Sequence, residues 1–374
     1  MNRRADATPE WSQVRRLLVV RLDNLGDVIM TGPALRAVKA ALPGVHLTLL
    51  ASPGGAPAAA LLPWVDEVQT CRALWQDLGR LEFDPAREAS LIAALRRGAY
   101  DVAVILTSFS QTPHAAAFAC ALAGVPHRIG ESREHGRALT FAASSAPVGL
   151  HQVARNLRLV AAVGLPASDG RLEIRLPAAA LQAARRRIMA LGISGDYLLF
   201  NPFASCPART LDPPRHARAA RLLAERSGLP VVMCGAPRDR ARAAALARVL
   251  GDRGVDLVGA TELPEFAALL AGARLVLTNN TAALHLADAL AVPQLVTYAG
   301  TDLVSQWEPR ASPHRLLRRD TACTPCYRMT CPLGQACMAL PAEAIAAVGL
   351  ELLGDTAFSR NRGTLADRHD RERP

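Results

Sequence analysis

The stretch Arg15–Asp27, RRLLVVRLDNLGD, carries an unbroken apolar run, Leu17–Val20, and then turns abruptly polar with two carboxylates, an asparagine and a glycine. A run with no apolar–polar alternation suits a strand covered on both faces, the condition of a parallel sheet flanked by helices. A helix is predicted to follow from about Asp27 to Leu42. The same unit repeats outward along the chain. Val45–Ala51, Asp66–Cys71 and Tyr100–Leu106 read as further strands, with helical segments around Ala86–Arg97 and Pro113–Ala123. The rhythm breaks at Gly164–Pro177, GLPASDGRLEIRLP, and then resumes. Tyr197–Phe203, Pro230–Gly235, Val255–Gly259, Arg274–Asn279 and Pro293–Ala299 form a second strand series. The predicted fold is α/β: two Rossmann-like, doubly wound parallel-sheet domains facing each other across a cleft. Their predicted limits are 15–165 and 178–353, joined by a linker at 166–177. Disordered tails are expected at 1–14 and 354–374, the latter because it is polar throughout.

Composition narrows the function. The chain has 374 residues, half of them hydrophobic and only 4% aromatic, which excludes a disordered chain and an aromatic-rich nucleic-acid platform. The formal charge of +10 favours anionic ligands or lipid surfaces. Lys39 is the sole lysine among 43 basic residues, so the charge is an arginine bias spread along the chain, and no nucleic-acid partner is expected. No apolar segment follows the charged start MNRRADATPEWSQVRR, so no secretory signal is read there. The uncharged stretches Ala40–Val65 and Val102–His127 contain too many prolines, glycines and polar residues for a membrane span. The expectation is a cytoplasmic protein, with contact at the inner membrane face limited to its surface.

Ligands of doubly wound sheets bind outside the carboxyl ends of strands, and the chemistry-bearing motifs fall there. In Arg21–Asp27, Asn24 and Asp27 suit a helix start, Asn24 as N-cap and Asp27 in the first turn. Equally, Asp27 at a strand edge suits a general base for an attacking hydroxyl, with Gly26 giving the acceptor close access to the backbone. The glycine spacing does not match a dinucleotide fingerprint, so NAD is not expected. In Leu275–Leu290, LVLTNNTAALHLADAL, a buried strand opens into a helix whose free N–H groups near Asn280, Thr281, Ala282 and Ala283 suit a diphosphate. His285 lies one turn in, either facing that ligand or hydrogen-bonded in the interior. Asn201–Pro213, NPFASCPARTLDP, carries Ser205 and Arg209 to a similar edge, where a guanidinium fork can grip phosphate or simply face solvent. Gly300–Thr301 is a small loop of the same kind. Cys323, Cys326, Cys331 and Cys337 gather half of the eight cysteines into fifteen residues. Four such thiols in a reducing compartment match a structural zinc site, although the spacing is not that of a standard zinc ribbon. Cys71, Cys120, Cys206 and Cys234 read as isolated small hydrophobes.

Taken together, Val19–Pro43 (VVRLDNLGDVIMTGPALRAVKAALP), Asn201–Leu211 and Leu277–Thr301 (LTNNTAALHLADALAVPQLVTYAGT) resemble glycosyltransferase family 9, the ADP-heptose:lipopolysaccharide heptosyltransferases. The cysteine cluster also resembles one found in a subset of that family. The resemblance extends over roughly residues 15 to 350. It implies a GT-B fold, with the acceptor on the first domain and the nucleotide sugar on the second. It also implies inverting transfer without a catalytic metal, from a nucleotide-sugar donor to a lipopolysaccharide-core or other envelope glycan. Asp27 then matches the family's catalytic base, Arg209 its phosphate-binding cation, and Thr281 and His285 its donor-contacting pair. Asp239 falls near an acidic donor-domain residue. The chain departs from the family's Asp-Ser/Thr-Gly pattern, having Asn280-Thr281-Ala282. Two rival readings are a GT-B epimerase or hydrolase of nucleotide sugars, and a non-catalytic binder of anionic glycans or nucleic acid.

Overall fold

A computed structural model describes residues 8–77, 81–134, 136–166 and 169–355. The chain divides into two compact units, Met1–Arg175 with Val304–Glu308, and Leu176–Leu303 with Pro309–Pro374.

The first unit is a six-stranded sheet of β1 (Arg16–Arg21), β2 (His46–Ala51), β3 (Glu67–Thr70), β4 (Val102–Ile105), β5 (His127–Glu131) and β6 (Phe141–Ala143). Its order is β3-β2-β1-β4-β5-β6, and every pairing is parallel. Leu17, Leu18, Val19 and Val20 are buried, as the unbroken apolar run requires. The second unit repeats the plan with β7 (Leu198–Asn201), β8 (Val231–Met233), β9 (Gly254–Asp256), β10 (Leu275–Asn279), β11 (Gln294–Thr297) and β12 (His314–Leu317). Its order is β12-β11-β10-β7-β8-β9, again wholly parallel. In each sheet the strand order reverses at one point, between β1 and β4 and between β7 and β10. There the loops leaving neighbouring strands part in opposite directions and open a crevice for ligands.

Local chemistry sets the helix limits. The helix Pro213–Ser227 starts where the Asp212 carboxylate accepts the Arg215 N–H at 3.2 Å and stops at Gly228, whose φ of 75° only glycine adopts freely. Its inner face packs against the helix Ala342–Gly354, and Gly349 is small enough there for Leu223 to sit close. One buried member, His216, meets the Phe200 ring edge-on at 4.9 Å, and neither of its ring nitrogens has a hydrogen-bond partner. Burial without a partner pushes the imidazole down to about 3.

Several expectations change. The single helix predicted over Asp27–Leu42 is two, Leu25–Ile29 and Gly32–Ala41. Pro33 has no N–H to continue the ladder, and the Thr31 hydroxyl takes the Val28 carbonyl at 2.6 Å. Residues 8–14 of the expected disordered tail are ordered: Trp11–Gln13 forms a 3-10 turn whose indole N–H donates to Val163 O at 2.9 Å. The described part of the predicted linker up to Arg175 belongs to the first unit, where Arg36 pairs with Asp169 and Glu173 while Leu172 and Ile174 are buried. Residues 304–308 join the first unit and not the second: Gln306 Nε2 donates to Val148 O at 2.5 Å. The tail expected beyond Asp355 and the first seven residues lie outside the described residues. β5, β6 and β12 carry no strand signal in the sequence: β5 and β12 mix polar with apolar residues, and β6 is only three residues long.

Candidate active site

In the first unit the site is built around Arg21, the last residue of β1. Its side chain is completely buried, with Nε 3.0 Å from the Asp23 carboxylate. Nη2 reaches Asp27 Oδ1 at 3.1 Å and donates to the Ser108 hydroxyl at 2.9 Å. Two carboxylates thus share one guanidinium, and the pairing fixes where the more exposed of them, Asp27, stands. A buried charge of this kind is tolerable only with partners. Asp23 is held from the other side by the amides of Gln76 at 3.0 Å and Gln111 at 2.5 Å, the latter also accepting the Ser108 N–H at 2.8 Å. Ser108 and Gln111 lie just beyond β4, so the network bridges the reversal point of the sheet. Asn24 occupies the N-cap position, yet its side chain makes no capping hydrogen bond. The simple capping role is therefore not how this asparagine is used.

The loop after β2 closes over the same network. The Ser52 hydroxyl donates to Asp23 O at 2.7 Å, and a Cβ on Gly55 would lie 2.7 Å from Asp23 O and 2.8 Å from Val28 Cγ2. Neither neighbour can swing away freely, since one is backbone and the other is core. Gly55→Ala should accordingly cost about 1–3 kcal/mol of stability and shift the Asp23 turn. Urea unfolding checks the first effect; an unchanged midpoint would mean that the loop has room to spare.

In the second unit Arg209 is the centre. Nε donates to Thr301 Oγ1 at 3.2 Å, and Nη2 pairs with Asp302 at 2.9 Å. Asp302 is nearly buried and collects further donors: the Thr301 hydroxyl at 2.6 Å and the Asn280 amide at 3.5 Å. Neither Arg209 contact uses Nη1, and a third of the side chain is exposed, leaving one edge of the fork for an anion. Thr281 is the N-cap of the helix Ala282–Ala289 but makes no capping bond with its side chain. Ala283 and His285 are buried within that helix. Asn279, two residues before that N-cap, is structural: its side-chain Oδ1 accepts the Leu211 N–H at 3.0 Å and the Thr297 hydroxyl at 2.9 Å.

The sequence-derived set is thus partly assembled. Arg209, Asn280 and Thr301 meet through Asp302, which sequence reasoning missed although it directly follows the Gly300–Thr301 loop. Ser205 is exposed, and Asp239 is buried with Arg242 3.5 Å away; neither takes part in that cluster through a hydrogen bond or ion pair. Arg21, Ser108 and Gln111 were also missed, Arg21 because an arginine ending an apolar strand reads as an edge residue. Among the described residues no three His, Cys, Asp or Glu side chains stand in a metal-holding arrangement. Cys323, Cys326, Cys331 and Cys337 do line one cavity of about 230 Å³. Buried Cys120 and Cys234 are pushed up to about 12, as small apolar-site thiols are.

Two six-stranded, wholly parallel, doubly wound sheets are the architecture of the GT-B fold. The sequence model of glycosyltransferase family 9 (heptosyltransferase) matches residues 88–337, and the chain belongs to that family. It is 26% identical over 295 residues to lipopolysaccharide heptosyltransferase 3 of Escherichia coli, covering 76% of this chain and 82% of the relative. To lipopolysaccharide heptosyltransferase 1 of Pseudomonas aeruginosa it is 27% identical over 329 residues, covering 84% and 87%. The solved structure of the E. coli ADP-heptose lps heptosyltransferase II superposes with a TM-score of 0.70 at 20% identity, over 90% of this chain and 98% of that one. Among the described residues no helix is long and apolar enough to cross a membrane.

Proposed function

We propose that this glycosyltransferase moves a heptose, with inversion, from ADP-heptose to a sugar hydroxyl of a lipopolysaccharide core, and that no metal takes part in the chemical step. The observation that carries the reading is the setting of Asp27, held by buried Arg21 at the carboxyl edge of β1 in a member of family 9. The names of the relatives supply the sugar, the nucleotide and the acceptor class. Asp27 takes the proton of the acceptor hydroxyl as its oxygen attacks the anomeric carbon from the face opposite the diphosphate. Gly26 and Asn24 line the approach of the acceptor. As the bond to the leaving phosphate breaks, charge grows on the ADP oxygens. Arg209 and the free N–H groups of Thr281, Ala282 and Ala283 stabilise it, with His285, Asn280, Thr301, Ser205 and Asp239 as further donor contacts. Asp302 keeps the Arg209 fork aimed before donor arrives. Contact with an anionic membrane face belongs to the same proposal. It is supported by the net charge of +10 and by Phe118 and Leu122, exposed one turn apart on the helix His114–Leu122.

The test is a thermal-shift panel of ADP, GDP, UDP and CDP, followed by transfer assays with ADP-heptose and a heptose-deficient core acceptor. ADP at about 100 times its dissociation constant should add about 2.7 kcal/mol of stability. Preference for another nucleotide, or donor turnover that is independent of acceptor, removes the reading. Arg209→Ala should weaken ADP binding by about 1.5–3 kcal/mol, the range of a charge-assisted contact. Unchanged affinity in a calorimetric titration would assign Arg209 to holding Asp302 alone.

A further inference from the structure

Tyr327 stands between the two loops that build the arginine cluster, and no step of the transfer reading uses it. Its N–H donates to Thr301 O at 2.8 Å, and the neighbouring Cys326 N–H donates to Gly300 O at 3.0 Å. Two residues further on, Met329 O accepts the Ala208 N–H at 3.0 Å, beside Arg209. Backbone hydrogen bonds on both sides thus hold Tyr327 between the loop of Thr301 and Asp302 and the loop of Arg209. All of these residues belong to the second unit.

The backbone at Tyr327 is strained. Its φ is 52°, in the left-handed region, where Cβ crowds the following carbonyl and a bulky side chain is rarely found. Strain of this kind persists where the surroundings impose it, and it gathers at ligand sites. Packing does not account for it here: Tyr327 remains 46% exposed, whereas Tyr100, Tyr197 and Tyr298 are buried. The phenol is nonetheless raised above its ordinary value, by partial burial first and by the Asp302 charge second, so the carboxylate is near enough to act on it. An exposed ring with Asp302, Thr301 and Arg209 around it joins an apolar face to a cluster of hydrogen-bonding groups.

We propose that Tyr327 is a donor-specificity residue: its ring lies along one face of the sugar carried by the nucleotide, and its hydroxyl bonds to one of that sugar's hydroxyls. A sugar ring carries C–H groups on its faces and hydroxyls around its rim, which matches an aromatic ring with a polar tip. The position along the sheet edge also fits the sugar end of the donor. Arg209 and the helix start at Thr281 stand at the reversal point between β7 and β10, the place proposed for the diphosphate. On the β8 side of that point the residues that meet, Gly235, Phe203 and Val258, are apolar. On the β11 side Asn280, Thr301 and Asp302 offer an amide, a hydroxyl and a carboxylate, the groups that bind a polyol. The assignment rests on the donor-site reading given above.

The test compares ADP with ADP-heptose in calorimetric titrations of the full chain. Tyr327→Asn removes the ring and supplies a side chain that tolerates a positive φ, so the urea midpoint should hold or rise. It should bind ADP-heptose about tenfold more weakly than wild type does, and ADP within about twofold. Tyr327→Phe keeps the ring and should lose about threefold in ADP-heptose affinity. Unchanged ADP-heptose affinity in Tyr327→Asn overturns the proposal. An equal loss for the two ligands also overturns it, since Tyr327 would then only support the loops. If Tyr327→Asn does not fold, Tyr327→Phe decides: an ADP-heptose affinity equal to that of wild type removes the hydroxyl contact and the proposal with it. A wild type that binds neither ligand brings down the donor-site reading and this assignment together. Wild-type binding of ADP-heptose that survives Tyr327→Asn removes this assignment alone.

Discussion

Asp27→Asn should lower kcat/KM for transfer by about 10²–10⁴-fold, the usual worth of a positioned general base, while ADP affinity stays within about twofold. The amide keeps the size of the carboxylate and can still accept from Arg21 Nη2, now 3.1 Å from Oδ1, so the turn Asp23–Asp27 is retained. What it lacks is a basic oxygen for the acceptor proton. On the proposed reading the nucleotide is held by residues of the second unit, so only the chemical step should suffer. Steady-state kinetics with ADP-heptose, together with ADP titration of the same preparation, separates the two effects. Turnover within tenfold of wild type would exclude Asp27 as the base. Loss of ADP affinity alongside turnover would instead indicate a damaged fold.

The second large effect concerns stability in acid. His216 is fully buried without a hydrogen-bond partner, and its imidazole is pushed from the ordinary 6.5 down to about 3. The folded chain therefore holds it neutral while the unfolded chain protonates it below about pH 6.5. Between those limits the unfolded state binds more protons, so stability falls as pH falls. Over the whole window, from pH 6.5 to about 3, the loss from this one group is about 4–5 kcal/mol. His216→Leu fills a similar volume against Phe200 and has nothing to protonate. It should equal or exceed wild type at pH 7 and unfold at a clearly higher urea concentration at pH 4. All other titrating groups are common to the two proteins, so the difference isolates His216. Parallel pH profiles would mean that water reaches the imidazole.

The strands that matter most for function were legible in sequence because they are the most buried. β1 and β10 each present an unbroken apolar run, and the flanking polar motifs mark where each chain leaves its sheet. Arg209 and Thr281 stood out only as residues just beyond strand ends, where a solvated loop arginine and a helix cap were equally open readings. The outer strands β6 and β12, and β5 beside β6, carry no periodic signal, as His127, Arg128 and Glu131 show, and their pairing depends on neighbours elsewhere in the chain.

Sequence alone thus determined the repeated strand–helix plan, the two reversal-point motifs and the cluster of thiols, since each is written in local composition and spacing. Only the tertiary structure decided which polar groups meet. Asp302 reaches Arg209 across 93 positions, and Ser108 reaches Arg21 across 87. Parallel sheets make such meetings unreadable from local pattern, because every crossover carries the chain over the sheet before the next strand end arrives at the same edge. The identity of a carboxylate's partner is therefore a property of strand order, and strand order is fixed by how the whole core packs.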